Sequence, residues 1–155
     1  MWEKVLAINL SSAFYTTKAA LPGMQKRGWG RIINVASVHG LVASVNKSAY
    51  VASKHGVIGF TKATALENAK LGVTVNAICP GFILTPLIAK QIDIIADKRK
   101  ISFDEATEVL CSEKHPSGKM GSPDDIGGMA VYLCSDFAKN ITGSSMTVDG
   151  GWTAI

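Results

Sequence analysis

Two apolar runs separated by a helical stretch constrain the fold of this chain more than any other feature. Residues 30–37 (Gly-Arg-Ile-Ile-Asn-Val-Ala-Ser) have the branched apolar side chains typical of a buried strand and end at Ser37, a small polar residue. Residues 73–78 (Val-Thr-Val-Asn-Ala-Ile) form a second such run, and the segment between them is long enough for a helix. A strand, a helix and a strand in this order form a βαβ unit, which requires a parallel sheet. The chain is therefore predicted to have an α/β fold.

Helix and strand signals in the rest of the chain extend this unit on both sides. Residues 2–25 carry apolar side chains at helical spacing, and Ser48 is predicted to be the N-cap of the middle helix, which should reach about residue 70. Residues 85–115 are predicted to form a helical cap near the carboxyl ends of the strands, where open α/β sheets bind ligands. A helix from Ser122 and a strand over residues 144–148 complete the pattern.

A tyrosine, a lysine and a serine are spaced for acid–base chemistry. Tyr50 and Lys54 lie four residues apart on the middle helix and therefore share one of its faces. A phenol on its own has a pKa of about 10. A nearby ammonium favours its ionised form and so helps a tyrosine to exchange protons near neutral pH. Ser37 ends the first strand-like run and supplies a hydroxyl that can hold a substrate oxygen. An ordinary exposed pair on a helix is the alternative for Tyr50 and Lys54.

Together with these three residues, motifs along the whole chain resemble those of the short-chain dehydrogenase/reductase family. The matching pieces, in chain order, are Asn9, Asn34-Val-Ala-Ser37, Tyr50-x-x-x-Lys54, Asn76-x-x-x-Pro80-Gly81 with Thr85, and Ser145-Met-Thr-Val-Asp-Gly-Gly151. The resemblance implies a doubly wound, Rossmann-type parallel sheet. Residues 1–155 would supply its C-terminal half, as one partial domain with a helical substrate cap.

The resemblance also implies a role for each residue of the predicted catalytic group. Tyr50 is similar to the family's general acid/base, and Lys54 to the lysine that favours the ionised phenol and holds the nicotinamide ribose. Ser37 would orient the substrate oxygen, and Asn9 would support a water-linked proton path to the lysine. A buried asparagine that closes a helix kink is the alternative for Asn9, and the two roles are compatible.

A cofactor site is implied in the same way. The loop after the second strand is similar to the loop that receives the nicotinamide carboxamide, and NAD is the cofactor expected from the resemblance. A plain Pro-Gly turn would require the same residues. Together with Tyr50 and Lys54, the residues of the predicted cofactor site are Pro80, Gly81, Ile83 and Thr85.

Three further polar residues are predicted to select the substrate. His39, Lys47 and Gln91 can face one pocket if the loop that follows Ser37 folds back, and such a set suits a small carboxylate. The segments that carry them resemble the branch of the family that interconverts (R)-3-hydroxybutyrate and acetoacetate, in which the matching residues bind the substrate carboxylate. The alternative within the family is another reductase, such as a 3-oxoacyl-carrier-protein reductase, which has no need of this cradle. A surface histidine and a solvated lysine are the alternatives for the single residues.

A glycine-rich turn between a strand and a helix binds the cofactor pyrophosphate in Rossmann-type folds. The glycines of this chain do not stand in that context, and its first residues already resemble the middle helix of the family fold. We therefore expect the C-terminal part of a longer enzyme, with Met1 either an internal methionine used as a start or a product of gene prediction. Little activity is expected of the chain by itself, and a non-catalytic fragment that folds only with a partner chain is the remaining alternative.

Composition and charge argue against several other classes of protein. The chain has 155 residues, of which 47% are hydrophobic and 18% charged, as in an ordinary globular domain. Its 16 basic residues are scattered, so the net charge of +4 does not indicate a nucleic-acid partner. Cys79, Cys111 and Cys134 lack the spacing of a metal site or a redox pair and are typical of a reducing compartment.

No signal peptide and no apolar run of membrane-spanning length is found in the sequence, which predicts a cytoplasmic protein without a membrane partner. A bound metal is not expected either. The family resemblance implies a homo-oligomer, which is a tetramer in full-length relatives.

Overall fold

The computed structural model describes residues 1–154, in which three parallel strands form one sheet. The strands are β1 (Gly30–Val35), β2 (Val73–Pro80) and β3 (Ser145–Val148), and β2 lies between the other two. Ile32 is opposite Val75 in the register of β1 with β2, and Ile78 is opposite Met146 in that of β2 with β3. The predicted α/β fold with a parallel sheet is confirmed.

Helices connect the strands and cover the sheet. In chain order they are α1 (Trp2–Leu6), α2 (Ser12–Arg27), α3 (Ser48–Asn68), α4 (Pro86–Arg99), α5 (Phe103–Ser112) and α6 (Pro123–Cys134). A π-helical turn, Ala7–Ser11, joins α1 to α2, and short 3-10 turns occur at Val38–Gly40, Asp136–Ala138 and Trp152–Ala154.

The core lies on both faces of the sheet, which explains why β2 is apolar almost throughout. On one face, Val75 and Ile32 pack against α2 and α3, where Ala65 belongs to the same cluster. On the other face, Ile78 packs against α6 through Leu133. Residues 73–79 of this strand are all buried, and the amide of Asn76, one of its two polar residues, donates a hydrogen bond of 2.7 Å to the Ile141 carbonyl.

One detail of the helix predictions is wrong. The N-cap of α3 is Lys47 rather than Ser48, and it makes no side-chain capping bond, so Ser48 is the first helical residue. Residues 85–115 are mostly helical, in two helices, because the chain turns between α4 and α5. Lys100 adopts a left-handed conformation with φ of 55°, and Ser102 starts α5 with a capping box. The two helices pack together around their own apolar cluster, which includes Ile92 and Leu110.

The outer edge of β1 has no paired strand within residues 1–154. Val35, at the end of this strand, is 57% exposed. In the same strand the Arg31 Nε atom is buried without a hydrogen-bond partner among the described residues. An edge with free backbone groups is a surface on which another strand can pair.

Candidate active site

Two adjoining clefts lie at the carboxyl ends of the strands. The larger has a volume of about 450 Å³ and the smaller a volume of about 360 Å³. Ser37, Tyr50 and Gly81 line both clefts, so the two are parts of one site. The other predicted residues except Asn9 divide between them: Lys54, Pro80, Ile83 and Thr85 line the larger cleft, and His39, Lys47 and Gln91 line the smaller one.

Ser37 and Tyr50 reach the shared wall of the clefts from different elements. Ser37 lies two residues beyond β1 and is 7% exposed, and its Oγ accepts a hydrogen bond of 3.1 Å from the backbone N–H of His39. That bond caps the 3-10 turn Val38–Gly40 and holds the serine in place. Tyr50 lies in the first turn of α3 and is half-buried. The site therefore presents two hydroxyl groups from two rigid elements.

Lys54 lies one turn further along α3, as the four-residue spacing predicts. Its Nζ donates a hydrogen bond of 3.0 Å to the backbone carbonyl of Val35 and lies 5.7 Å from the centroid of the Tyr50 ring. Burial lowers the pKa of Lys54, and the nearby Cys79 partly offsets this shift. A cation, a phenol and a serine hydroxyl thus line one cleft, an arrangement that can move a proton to or from a bound oxygen.

Asn9 lies behind this group rather than in either cleft. It belongs to the π-helical turn, and its Nδ2 donates a hydrogen bond of 3.1 Å to the Ser53 Oγ. Ser53 in turn donates to the backbone carbonyl of Tyr50 at 2.7 Å. Asn9 and Tyr50 also share the lining of a separate cavity of about 350 Å³ on the α1 side. The widened turn therefore ties the asparagine to the helix that carries the tyrosine.

The smaller cleft has one lysine, Lys47, beside a buried imidazole. His39 is 5% exposed, and its Nε2 lies 2.9 Å from the Ser44 Oγ. Burial lowers the pKa of His39, and the positive charges of Lys47 and Lys114 lower it further. Lys47 and Gln91 line the same cleft from the start of α3 and from α4. An imidazole, an ammonium and an amide therefore meet where an anion would be attracted.

In the loop after β2, Ile83 lines the larger cleft and has a free backbone N–H and carbonyl. Ile83 pairs with Gly121 as an isolated parallel bridge, whose bonds run from the Gly121 N–H to the Phe82 carbonyl and from the Leu84 N–H to the Gly121 carbonyl. In such a bridge the N–H and the carbonyl of Ile83 itself point away from Gly121. Neither group has a partner within residues 1–154, and Thr85 follows as the N-cap of α4.

An aromatic wall of the smaller cleft was not predicted. Phe82 and Trp152 line this cleft, with ring centroids 5.0 Å apart, and the His39 ring lies 5.3 Å from that of Trp152. His115, 3% exposed, packs behind Phe82 with a centroid distance of 5.3 Å. No spacing in the sequence links these four residues, because they come from four separate segments. The only local signal was the Gly-Gly-Trp sequence near the end of the chain.

Asp149 holds the turn that presents Trp152. Its carboxylate accepts hydrogen bonds from the Gly151 N–H at 3.1 Å, the Thr153 N–H at 2.9 Å and the Thr153 hydroxyl at 2.6 Å. Burial by itself would raise the pKa of Asp149, but these hydrogen bonds hold it below its usual value. The charged carboxylate therefore anchors the C-terminal segment beside the site.

Sequence comparison relates the chain to a family of oxidoreductases. A profile of the family described as Enoyl-(Acyl carrier protein) reductase matches residues 1–153. D-beta-hydroxybutyrate dehydrogenase of Cupriavidus necator is 57% identical over 153 residues, which cover 99% of this chain and 59% of that protein. The protein of the same name from Rhizobium meliloti is 51% identical, with the same two coverages of 99% and 59%. The chain thus spans little more than half the length of these curated relatives.

A solved structure agrees with the sequence matches. The crystal structure of the F189W actinorhodin polyketide ketoreductase with NADPH superimposes with a TM-score of 0.88 and 39% identity, covering 99% of this chain and 59% of that one. Within residues 1–154, no helix combines the length and apolar character needed to cross a bilayer. The same residues contain no cluster of three or more His, Cys, Asp or Glu side chains that could hold a metal ion.

Proposed function

Since the chain belongs to the short-chain dehydrogenase/reductase family, we propose that these residues are the catalytic half of an NAD-dependent (R)-3-hydroxybutyrate dehydrogenase. The observation that carries the proposal is the smaller cleft, where Ser37 and Tyr50 meet His39, Lys47 and Gln91. The first pair suits an alcohol or ketone oxygen, and the other three suit a carboxylate. A 3-hydroxy acid carries both groups two carbons apart.

In the oxidation, Tyr50 takes the proton of the substrate hydroxyl, and the Ser37 hydroxyl donates a hydrogen bond to the same oxygen. Lys54, whose Nζ lies 5.7 Å from the centroid of the Tyr50 ring, would hold the nicotinamide ribose and place a positive charge beside the phenol. Asn9 acts indirectly, by supporting a water-linked proton path to Lys54 and by bracing α3 through Ser53. In the reverse direction, Tyr50 returns the proton to the oxygen of acetoacetate.

The residues that line the larger cleft fit a nicotinamide ring and its ribose. The free N–H and carbonyl of Ile83 match the two polar groups of a carboxamide, and the Thr85 hydroxyl lies at the same loop. Pro80 and Gly81 form part of the wall of this cleft, and Tyr50 and Lys54, which line it too, would hold the ribose. The nicotinamide, when bound, supplies the hydride acceptor or donor. NADP is the alternative to NAD, because the actinorhodin ketoreductase was solved with NADPH.

A second candidate function is the reduction of a 3-oxoacyl group on a carrier protein. It is favoured by a relative from Aquifex aeolicus that is 40% identical over 150 residues and is named a 3-oxoacyl-[acyl-carrier-protein] reductase. The acyl group of a carrier-bound substrate is a neutral thioester, so it would gain no binding free energy from the charge of Lys47. Its binding would also cost free energy, because that charge would lose water. The charged cradle therefore favours the free acid. A third possibility, a non-catalytic fragment, gives no reason why these residues should lie together in one cleft.

The proposal predicts a preference for the free acid in a chimera, in which residues 1–155 replace the matching segment of the Cupriavidus necator protein. We expect this chimera to oxidise (R)-3-hydroxybutyrate with NAD, and to reduce acetoacetate with a higher kcat/KM than an acetoacetyl thioester. Cofactor absorbance measures both rates, and the intact relative is the control. A chimera that folds but prefers the thioester supports the carrier-protein alternative instead.

We further propose that residues 1–155 form a single partial Rossmann-type domain with residues 85–115 as its substrate cap, in a homo-oligomeric cytoplasmic protein. Two features support self-association: large apolar side chains on the outside of α2 and α3, such as Tyr15 at 66% and Leu66 at 80% exposure, and the open edge of β1. The free thiols of Cys79, Cys111 and Cys134 suit the reducing cytoplasm.

For the purified 155-residue chain, we expect self-association and weak binding of NAD. The described residues contain no glycine-rich turn for the pyrophosphate, and the apolar faces on α2 and α3 are uncovered. Light scattering measures the mass, and calorimetric titration compares its affinity for NAD with that of the intact Cupriavidus necator protein. A clean monomer that binds NAD as tightly as the relative would contradict both expectations.

A further inference from the structure

His115 is a buried histidine that lines neither cleft, yet it contacts the two segments that form the aromatic wall. It follows α5 and is 3% exposed. Its ring packs against Phe82 at 5.3 Å and lies 6.0 Å from the ring of Trp152. The cap, the loop after β2 and the C-terminal segment therefore meet at one imidazole.

Both nitrogens of this imidazole are bonded, and the partners determine its tautomer. The backbone N–H of Phe82 can only donate, so Nε2 accepts this bond of 2.9 Å. The backbone carbonyl of Lys119 can only accept, so Nδ1 carries the hydrogen in its bond of 2.8 Å. A neutral ring with one donor and one acceptor is required here, and a side chain that lacks the acceptor would leave the Phe82 N–H unpaired.

Two glycines make room for the ring. A Cβ atom on Gly81 would lie 2.5 Å from the His115 Nε2, and one on Gly150 would lie 2.8 Å from its Nδ1. The imidazole thus fills the space between the loop after β2 and the turn after β3. Gly81 itself lines both clefts, so a shift of this loop would alter both.

We propose that His115 is a positioning residue for substrate binding, which acts by fixing the Gly81–Phe82 turn against the C-terminal segment. Through the bond to the Phe82 N–H, it sets where the rings of Phe82 and Trp152 stand in the smaller cleft. The identity of the substrate rests on the proposed function, whereas the hydrogen bond and the aromatic wall do not. Loss of the bond should loosen the wall and weaken substrate binding, with the proton-transfer group at Tyr50 left in place.

The bond can be tested directly in the chimera by nuclear magnetic resonance. We expect a 15N–15N coupling across the hydrogen bond between the Phe82 amide and His115 Nε2, and a proton on Nδ1. In a His115→Leu variant, the Phe82 amide should exchange with solvent at least about tenfold faster. A His115→Gln variant, whose amide can both accept and donate, should restore slow exchange. His55→Leu, at an exposed histidine of α3, is the matched control.

The consequence for the site is measured in the chimera. We expect His115→Leu to raise the KM for (R)-3-hydroxybutyrate about tenfold or more with a smaller change in kcat, and His115→Gln to return KM toward that of the unsubstituted chimera.

If His115→Leu does not fold, the proposal is decided by the 15N–15N coupling in the unsubstituted chimera and by the KM of the His115→Gln variant. Absence of the coupling overturns the proposal, and so does a His115→Leu variant with unchanged Phe82 exchange and KM. A chimera that does not turn over 3-hydroxybutyrate refutes the proposed function and leaves the resonance experiments decisive for His115.

Discussion

A Tyr50→Phe substitution in the chimera should leave the fold intact and remove nearly all turnover of (R)-3-hydroxybutyrate. The phenol hydroxyl is the only group deleted, and general acid/base groups typically contribute about a hundredfold to ten-thousandfold to the rate. The ring would still pack edge-on against His39, at the present centroid distance of 5.7 Å, so the walls of both clefts should persist. The loss should therefore appear in kcat, with little change in KM.

The matched control for this prediction is Tyr132→Phe. Tyr132 lies on α6, is 43% exposed and lines neither cleft, so its hydroxyl should be dispensable. Circular dichroism and thermal unfolding verify that both variants fold, and the absorbance of reduced cofactor measures their rates. If Tyr50→Phe turned over 3-hydroxybutyrate at a near-normal rate, the acid/base role would have to pass to another residue.

The parts of the site that the sequence could predict are those that depend on local spacing and on the βαβ topology. Tyr50 and Lys54 share a face because the helical period is fixed, and Ser37 joins them because parallel strands end at the same edge of the sheet. The same topology brings Gly81 and Ile83 to the cleft from the end of β2. No tertiary detail was needed to place these residues together.

The aromatic wall and the shape of the cap could not be predicted in that way. His115, Phe82 and Trp152 come from segments that only the finished fold brings into contact. The break between α4 and α5 depends on a left-handed lysine, Lys100, at a position where glycine or asparagine is the usual signal. The π-helical turn around Asn9 likewise leaves no mark in the apolar spacing of residues 2–25.

A Lys47→Ala substitution in the chimera should raise the KM for (R)-3-hydroxybutyrate by about tenfold to a hundredfold, with a smaller effect on kcat. A hydrogen bond to a charged group contributes about 1.5–3 kcal/mol, and about 1.4 kcal/mol corresponds to a factor of ten in affinity. Lys47 lines the smaller cleft, and its charge already acts on His39, whose pKa is lowered first by burial and then by the two lysines nearby. Removal of this charge should therefore weaken the attraction of the cleft for a carboxylate.

Two comparisons separate a carboxylate contact from a general loss of activity. The methyl ester of 3-hydroxybutyrate carries no charge, so its KM should change much less in Lys47→Ala than that of the acid. Lys70→Ala, at an exposed lysine just beyond α3, removes the same charge without touching the cleft and should leave both substrates unaffected. The effect on the acid should also shrink at high ionic strength, because salt screens exposed charges. Equal losses on the acid and the ester would mean that Lys47 supports the start of α3 and does not bind the substrate, and the cleft would then no longer favour a free acid over a carrier-bound thioester.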